Sequence, residues 1–284
     1  MRHPILVPMC VVAVTALTAC EKAIDKAEMD RAFQGVNVID ESNLNQVMLT
    51  VGDPNEAVDY FQRAAAKDPD RIDLQRGLAQ SLIRAKRIPE AKVAWAHVAR
   101  HDDATNEDRV EYADALIRAN DWTGAEQALR AIPPTHETYK RYRLEAMIAD
   151  SKKEWPKADS FYETAMGLTT TPASVMNNWG YSKLTRGDFK DAERLFGEAI
   201  RADNTMFTAK NNLVMARGAQ GSYTLPVIPM TQQERAELLY TLGLAAVKRG
   251  DVQIGKGLLR EAVETHPQHF EAAATALNAL ENGA

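Results

Sequence analysis

Cysteine is scarce in this chain. Its 284 residues contain two, Cys10 and Cys20, both inside the first twenty, so the rest can hold neither a disulfide framework nor a cysteine-based zinc module. A basic excess is lacking as well. The 34 basic and 39 acidic residues give a net charge of −5, which is not the footprint of a nucleic-acid-binding protein. There is no glycine-rich phosphate loop and no G-x-S-x-G elbow for a nucleophilic serine. His136-Glu137 opens like the zinc motif H-E-x-x-H, but Lys140 stands where the second histidine is needed. His266 and His269 flank Pro267, which denies them presentation on a regular helix. Asp102, Asp103 and Asp150 fall at predicted helix ends or polar turns, where solvation accounts for them. These absences predict a chain that is not an enzyme, with no cofactor, no metal and no small-molecule substrate.

What is present is, first, an N-terminal segment unlike the remainder. Arg2 and His3 precede an apolar run from Ile5 to Leu17. The run is shorter than the roughly 20 residues of a bilayer-spanning helix and has the form of a secretory signal. It ends in Leu17-Thr18-Ala19-Cys20, which resembles the bacterial lipobox. That resemblance implies cleavage before Cys20 and lipidation of its thiol; a plain signal peptide with an incidental cysteine is the other reading. Lipid adds about 0.8 kcal/mol per buried CH₂, so several acyl chains would hold the mature chain on a membrane. Glu21, rather than an aspartate, favours sorting to the periplasmic face of the outer membrane. Residues 1–19 are therefore read as a signal peptide and 20–37 as a lipidated tether.

Second, the chain repeats. Ala57, Ala91, Ala125, Ala158 and Ala192 follow one another at steps of 34, 34, 33 and 34 residues. Four residues after each stands a bulky side chain: Phe61, Trp95, Leu129, Tyr162 and Phe196. A turn recurs at Gly52, Lys86, Asn120, Lys153 and Gly187, and glycine and asparagine suit the left-handed backbone such turns use. Small residues sit where two helices must touch, and large ones fill the gaps beside them. The pattern resembles the tetratricopeptide repeat. The resemblance implies an all-α solenoid of about six helical hairpins, running over roughly residues 38–269, with five repeats in 38–204. The first helix of the first repeat is expected over 38–50, with Leu44 and Met48 facing inward.

The pattern breaks after Gly218. Residues 205–235 read as a half-repeat followed by Gly221-Ser222-Tyr223-Thr224-Leu225-Pro226-Val227-Ile228-Pro229-Met230, whose two prolines exclude a regular helix. This apolar stretch either covers the array or serves as a hinge or partner-binding strand. Thr231-Gln232-Gln233-Glu234 has the form of a capping box. Residues 236–284 then supply a final repeat and a capping helix from about His269 to Leu280, which a solenoid needs for solubility.

In repeats of this type the first helices line the concave face. Counting from the small residue of each first helix places Arg76, Gln80 and Arg84 on that face in the second unit. Val110, Asp114 and Arg118 follow in the third, Lys140, Arg143 and Met147 in the fourth, Ser174, Asn177 and Tyr181 in the fifth, and Thr208, Asn211 and Met215 in the sixth. A basic groove results, with Asn177 and Asn211 able to bond a peptide backbone through amides that both donate and accept.

The lipobox, the repeats, the first helix N-N-W-G and the tail Y-T-L-P-V-I-P-M-T-Q-Q-E-R-A together resemble the TadD-like lipoproteins of tight-adherence (Flp) pilus systems. The resemblance implies a role in assembling or placing the outer-membrane secretin and pilus machinery, with other proteins of that complex as partners. A pilotin-like or outer-membrane-protein assembly lipoprotein of another envelope system stays open, as does an enzyme accessory domain or peptidoglycan-associated regulator.

Overall fold

The computed structural model describes residues 44–282. The expected signal peptide, Cys20, the expected tether and the first six residues of the expected helix over 38–50 lie outside the described residues. Among those residues the secondary structure is helical throughout. A helix over 44–50 (α1) precedes α2 (Pro54–Lys67), α3 (Ile72–Arg84), α4 (Ile88–Val98), α5 (Asn106–Arg118), α6 (Trp122–Arg130) and α7 (Tyr139–Ser151). Then come α8 (Trp155–Gly167), α9 (Ala173–Thr185), α10 (Phe189–Ala202), α11 (Phe207–Ala219), α12 (Gln232–Arg249), α13 (Val252–Thr265) and α14 (Glu271–Asn282). None is long and apolar enough to cross a membrane.

Local chemistry sets many of the boundaries. The Asp53 carboxylate accepts from the amides of Asn55 and Glu56 at 2.9 and 3.1 Å, and Pro54 opens α2, where its missing N–H costs nothing. Thr105 with Asp108 and Thr231 with Glu234 form reciprocal capping boxes at α5 and α12. The inter-helix turns take positive φ at Lys86 (58°), Asn120 (60°), Lys153 (59°) and Gly187 (86°). Gly52 does not: its φ is not positive, and the thioether of Met48 lies over it instead. Gly221 takes φ +79° exactly where the 34-residue step from Gly187 puts the next turn, so the turn of the sixth unit survives although its second helix is lost.

Within each hairpin the recurrent alanine and the bulky residue after it are buried: Ala91 with Trp95, Ala125 with Leu129, Ala158 with Tyr162, Ala192 with Phe196. The first helix answers with a small residue: a Cβ at Gly180 would lie 2.7 Å from the Phe196 ring. Glycine also permits close approach between hairpins, where a Cβ at Gly77 of α3 would lie 2.3 Å from the Phe61 ring of α2. Leu44, expected to face inward, is 44% exposed, because α1 stands at the end of the described stack with no described helix on its outer side. Met48 is half-buried.

The segment after α11 lies along the array. Leu225 and Met230 pack on Val214, Leu238 and Leu242, and Ile228 packs on the cluster of Phe196, Ile200 and Leu213. The Tyr223 hydroxyl donates to Asp251 at 2.5 Å. The covering role is thus the one the geometry shows. The last helix, α14, buries Ala273 against Leu239 and Ala262, with the Phe270 ring just before it tilted against that of Tyr240.

Candidate partner-binding face

Each second helix contacts the first helix on either side of it, as α4 does α3 and α5, and α8 does α7 and α9. Successive first helices also touch one another directly, α5 with α7, α7 with α9, α9 with α11 and α11 with α12. They therefore make one continuous surface from α5 to α12, and the expected groove residues from Val110 onward lie on these helices, while Arg76, Gln80 and Arg84 lie on α3.

Most of those residues are tied to the neighbouring repeat. Arg76 makes a two-pronged pair with Asp108, Nε and one terminal nitrogen each 2.7 Å from a carboxylate oxygen. Burial alone would raise the Asp108 pKa, but Arg76 and the Thr105 amide and hydroxyl outweigh it and hold the group below the usual carboxylate value. Arg84 donates to the Met48 and Gly52 carbonyls at 2.7 and 2.8 Å, closing the C-terminal end of α1. Lys140 reaches Glu111 at 2.5 Å and Asp114 at 3.8 Å. Arg118 bonds Asp114 at 3.0 Å, one turn back on its own helix. Arg143 donates to the Ser174 hydroxyl at 3.3 Å, and its Nε is buried without a partner.

The amides continue this ladder. Asn177 Oδ1 accepts from Asn212 at 3.0 Å, and Asn211 Oδ1 accepts from the Thr241 hydroxyl at 2.7 Å. Lys210, almost fully buried, pairs with Glu234 at 2.9 Å, and the same carboxylate caps α12. Gln80 and Tyr181 are exposed. Val110 is a correction: it is wholly buried in the core and does not face the groove, because Leu144 and Ile148 of α7 pack with it; Asp114, one turn on, is buried as well. Of the five cations, three answer carboxylates, so the stripe is a set of inter-repeat fasteners more than a row of free charges.

One polar cluster escaped the sequence reading altogether. Asp150, expected to be solvated, is half-buried between α7, α8 and α9, accepting from the Tyr162 and Ser182 hydroxyls at 2.8 and 2.7 Å. Burial raises its pKa despite those bonds. Asp159, nearby on α8, accepts from Trp179, Lys183 and Arg186. Burial opposes its ionisation too, but those donors prevail and its pKa is lowered. Nothing in the sequence flags either group, since the partners stand 12 to 32 positions away.

Residues 48–107 match the family model of the tetratricopeptide repeat. No curated protein matches the chain. Among solved structures, a tetratricopeptide repeat protein from Parabacteroides merdae superposes with a TM-score of 0.57 at 12% identity, covering 84% of this chain and 97% of that one. PilW, a type IV pilus biogenesis factor, gives a TM-score of 0.54 at 15% identity, over 72% of this chain and 98% of that one. The Cut9–Hcn1 hetero-tetramer of the APC/C gives 0.60 at 13% identity over 83% of this chain, which spans 48% of the matched chain. The fold is a tetratricopeptide-repeat solenoid. It is a scaffold suited to binding other proteins, and no group of three histidine, cysteine or acidic side chains that could hold a metal occurs among the described residues.

Proposed function

We propose that this chain is a lipid-anchored, non-enzymatic scaffold on the periplasmic face of the outer membrane. There it assists assembly of a Flp (tight-adherence) pilus secretion machine through that machine's secretin. The observation that carries the binding part is the unbroken surface of touching first helices from α5 to α12, whose polar side chains are fastened in place before any partner arrives. A surface ordered in advance loses less entropy on binding. The likeness to PilW supports a pilus setting, and Leu17-Thr18-Ala19-Cys20 supports the anchor.

The tests separate the two parts. Cys20→Ala should move the protein from the outer-membrane fraction to the soluble periplasm; a variant that still sediments with the membrane refutes the lipid anchor. For the surface, Arg118 and Gln80 are the clean probes, because Arg76, Arg84, Lys140 and Arg143 also hold repeats together. Arg118→Glu with Gln80→Glu should weaken capture of the secretin in native cells while helical content is unchanged. Undiminished capture removes the N-terminal half of the face from the site, and capture of a secretin from a different envelope system would favour the pilotin-like role.

A further inference from the structure

The first-helix surface changes character along its length. The residue following the buried small position is Gln80 in α3, Asp114 in α5 and Met147 in α7, then Tyr181, Met215 and Leu244 in α9, α11 and α12. The last three are equivalent positions on successive helices, and all three are open to solvent, at 51%, 38% and 41%. Exposed apolar side chains scattered singly need no explanation, but ones that line a common depression do, and Met215 and Leu244 do so.

Beside them the surface sinks into a trough of about 660 Å³. Its apolar lining is Leu184, Phe189, Met215, Ala219, Leu244 and Ala245. Close packing beneath it has a cause in the sequence: a Cβ at Gly218 would lie 2.7 Å from the Ala245 methyl, so only glycine lets α11 and α12 approach so far. The polar groups on the lining are Asn211, Thr241, Lys248 and Arg249. The Asn211 carbonyl is used by Thr241, but its NH₂ reaches only the Met215 sulfur, at 3.8 Å. Arg249 is committed to the Ala219 carbonyl at 2.7 Å. Lys248 is exposed and makes no hydrogen bond or ion pair with the described residues. No carboxylate lines the trough.

We infer that this trough takes an extended segment of a partner protein that carries an apolar side chain at every third residue and a carboxylate at the end lying over Lys248. The spacing follows from geometry. Packed helices stand about 8–10 Å apart, and a polyproline-II segment repeats each face every three residues, at about 3.1 Å per residue, or about 9 Å. Successive apolar side chains of such a segment therefore meet successive first helices, while a β-strand with its two-residue period does not keep step. The Asn211 NH₂ is placed to donate to the segment's backbone. The uncompensated cation at Lys248 sets the sign of the end group. This inference rests on the scaffold reading and adds to it a defined site at the C-terminal end of the face and the class of peptide taken there.

The mature chain is titrated with fluorescein-labelled peptides about nine residues long, with leucine at every third position in a serine and proline background and two aspartates at one end or the other. One of these should bind. A peptide of the same composition with leucine at every second position should bind at least about tenfold more weakly, a difference of about 1.4 kcal/mol. Leu244→Asp should cost the period-three peptide a similar factor, and because Leu244 is exposed the variant keeps its circular dichroism. Lys248→Glu should transfer preference to a peptide ending in lysine. Equal binding of the two spacings, no binding of either, or an unimpaired Leu244→Asp overturns the inference. A photo-crosslinker at positions 80, 118 or 215 in cells distinguishes its failure from failure of the scaffold reading. Secretin captured from 80 or 118 and not from 215 overturns the trough alone, and no capture from any position overturns both.

Discussion

At the scale of single residues, the two carboxylates Asp150 and Asp159 show how environment divides like groups. Both lose solvation. Asp150 receives only two neutral hydroxyls and ends with a raised pKa, while Asp159 meets Arg186 and Lys183 and ends with a lowered one. The signs for stability are opposite. The Asp150 contribution is present below its unfolded value of 3.8 and is lost as the pH rises through its higher folded value. That of Asp159 is present above 3.8 and lost as the pH falls through its lower folded value. Asp150→Asn keeps an acceptor and cannot ionise, so it should gain on the wild type between acid and neutral pH in urea titrations at several pH values. A constant difference across that range would show that Asp150 is ordinarily solvated. Asp150→Ala is the harsher change, leaving the Tyr162 and Ser182 hydroxyls without an acceptor at a cost of about 1–3 kcal/mol.

At the scale of the helical hairpin, packing rests on one contact repeated with different residues. In the fifth repeat it is Gly180 under the Phe196 ring, 0% exposed and unable to swing into solvent. Gly180→Ala should cost about 1–3 kcal/mol by overpacking. Combining it with Phe196→Leu should cost less than the two separate losses added, read as a coupling in a double-mutant cycle. Simple additivity would mean that the two residues do not share the space. The turn residues offer a gain. Lys153 holds φ 59°, a conformation that costs an L-residue about 1–2 kcal/mol, so Lys153→Gly should raise the thermal midpoint even after glycine's entropic penalty; an unchanged or lower midpoint argues against strain there. These contacts were legible in the sequence because they are local: small, bulky and turn residues recur at fixed offsets inside one hairpin. The fasteners between hairpins were not. Arg76 and Asp108 stand 32 positions apart, and whether a cation at that site meets solvent, a ligand or the next repeat depends on how far the stack turns per unit. That rotation leaves no periodic mark, which is why the groove read as a basic stripe and Asp150 as a solvated carboxylate.

At the scale of the whole molecule, the contacts run between neighbours only. Among the described residues the main helix–helix contacts lie within a hairpin or between adjacent hairpins, so stability is a sum of unit and nearest-neighbour contributions. The fasteners add to the neighbour contribution at nearly every junction: Arg84 to α1, Arg76 to α5, Lys140 back to α5, Asn177 and Asn212 between α9 and α11, Lys210 and Glu234 between α11 and α12. A perturbation at one end should therefore fade along the array. The C-terminal cap tests this directly. Removing α14 uncovers Leu239 and Ala262, which it covers through Ala273, and takes away the last neighbour of α13. Chains ending at residue 268 should lose amide hydrogen-exchange protection in α12 and α13 and associate through the bared apolar surface. Protection in α3 to α8 should stay that of the full chain. A uniform fall in protection from α3 onward would mean that the solenoid unfolds as one cooperative body, and that the half-repeat and its proline-bearing segment pass strain along the stack instead of absorbing it.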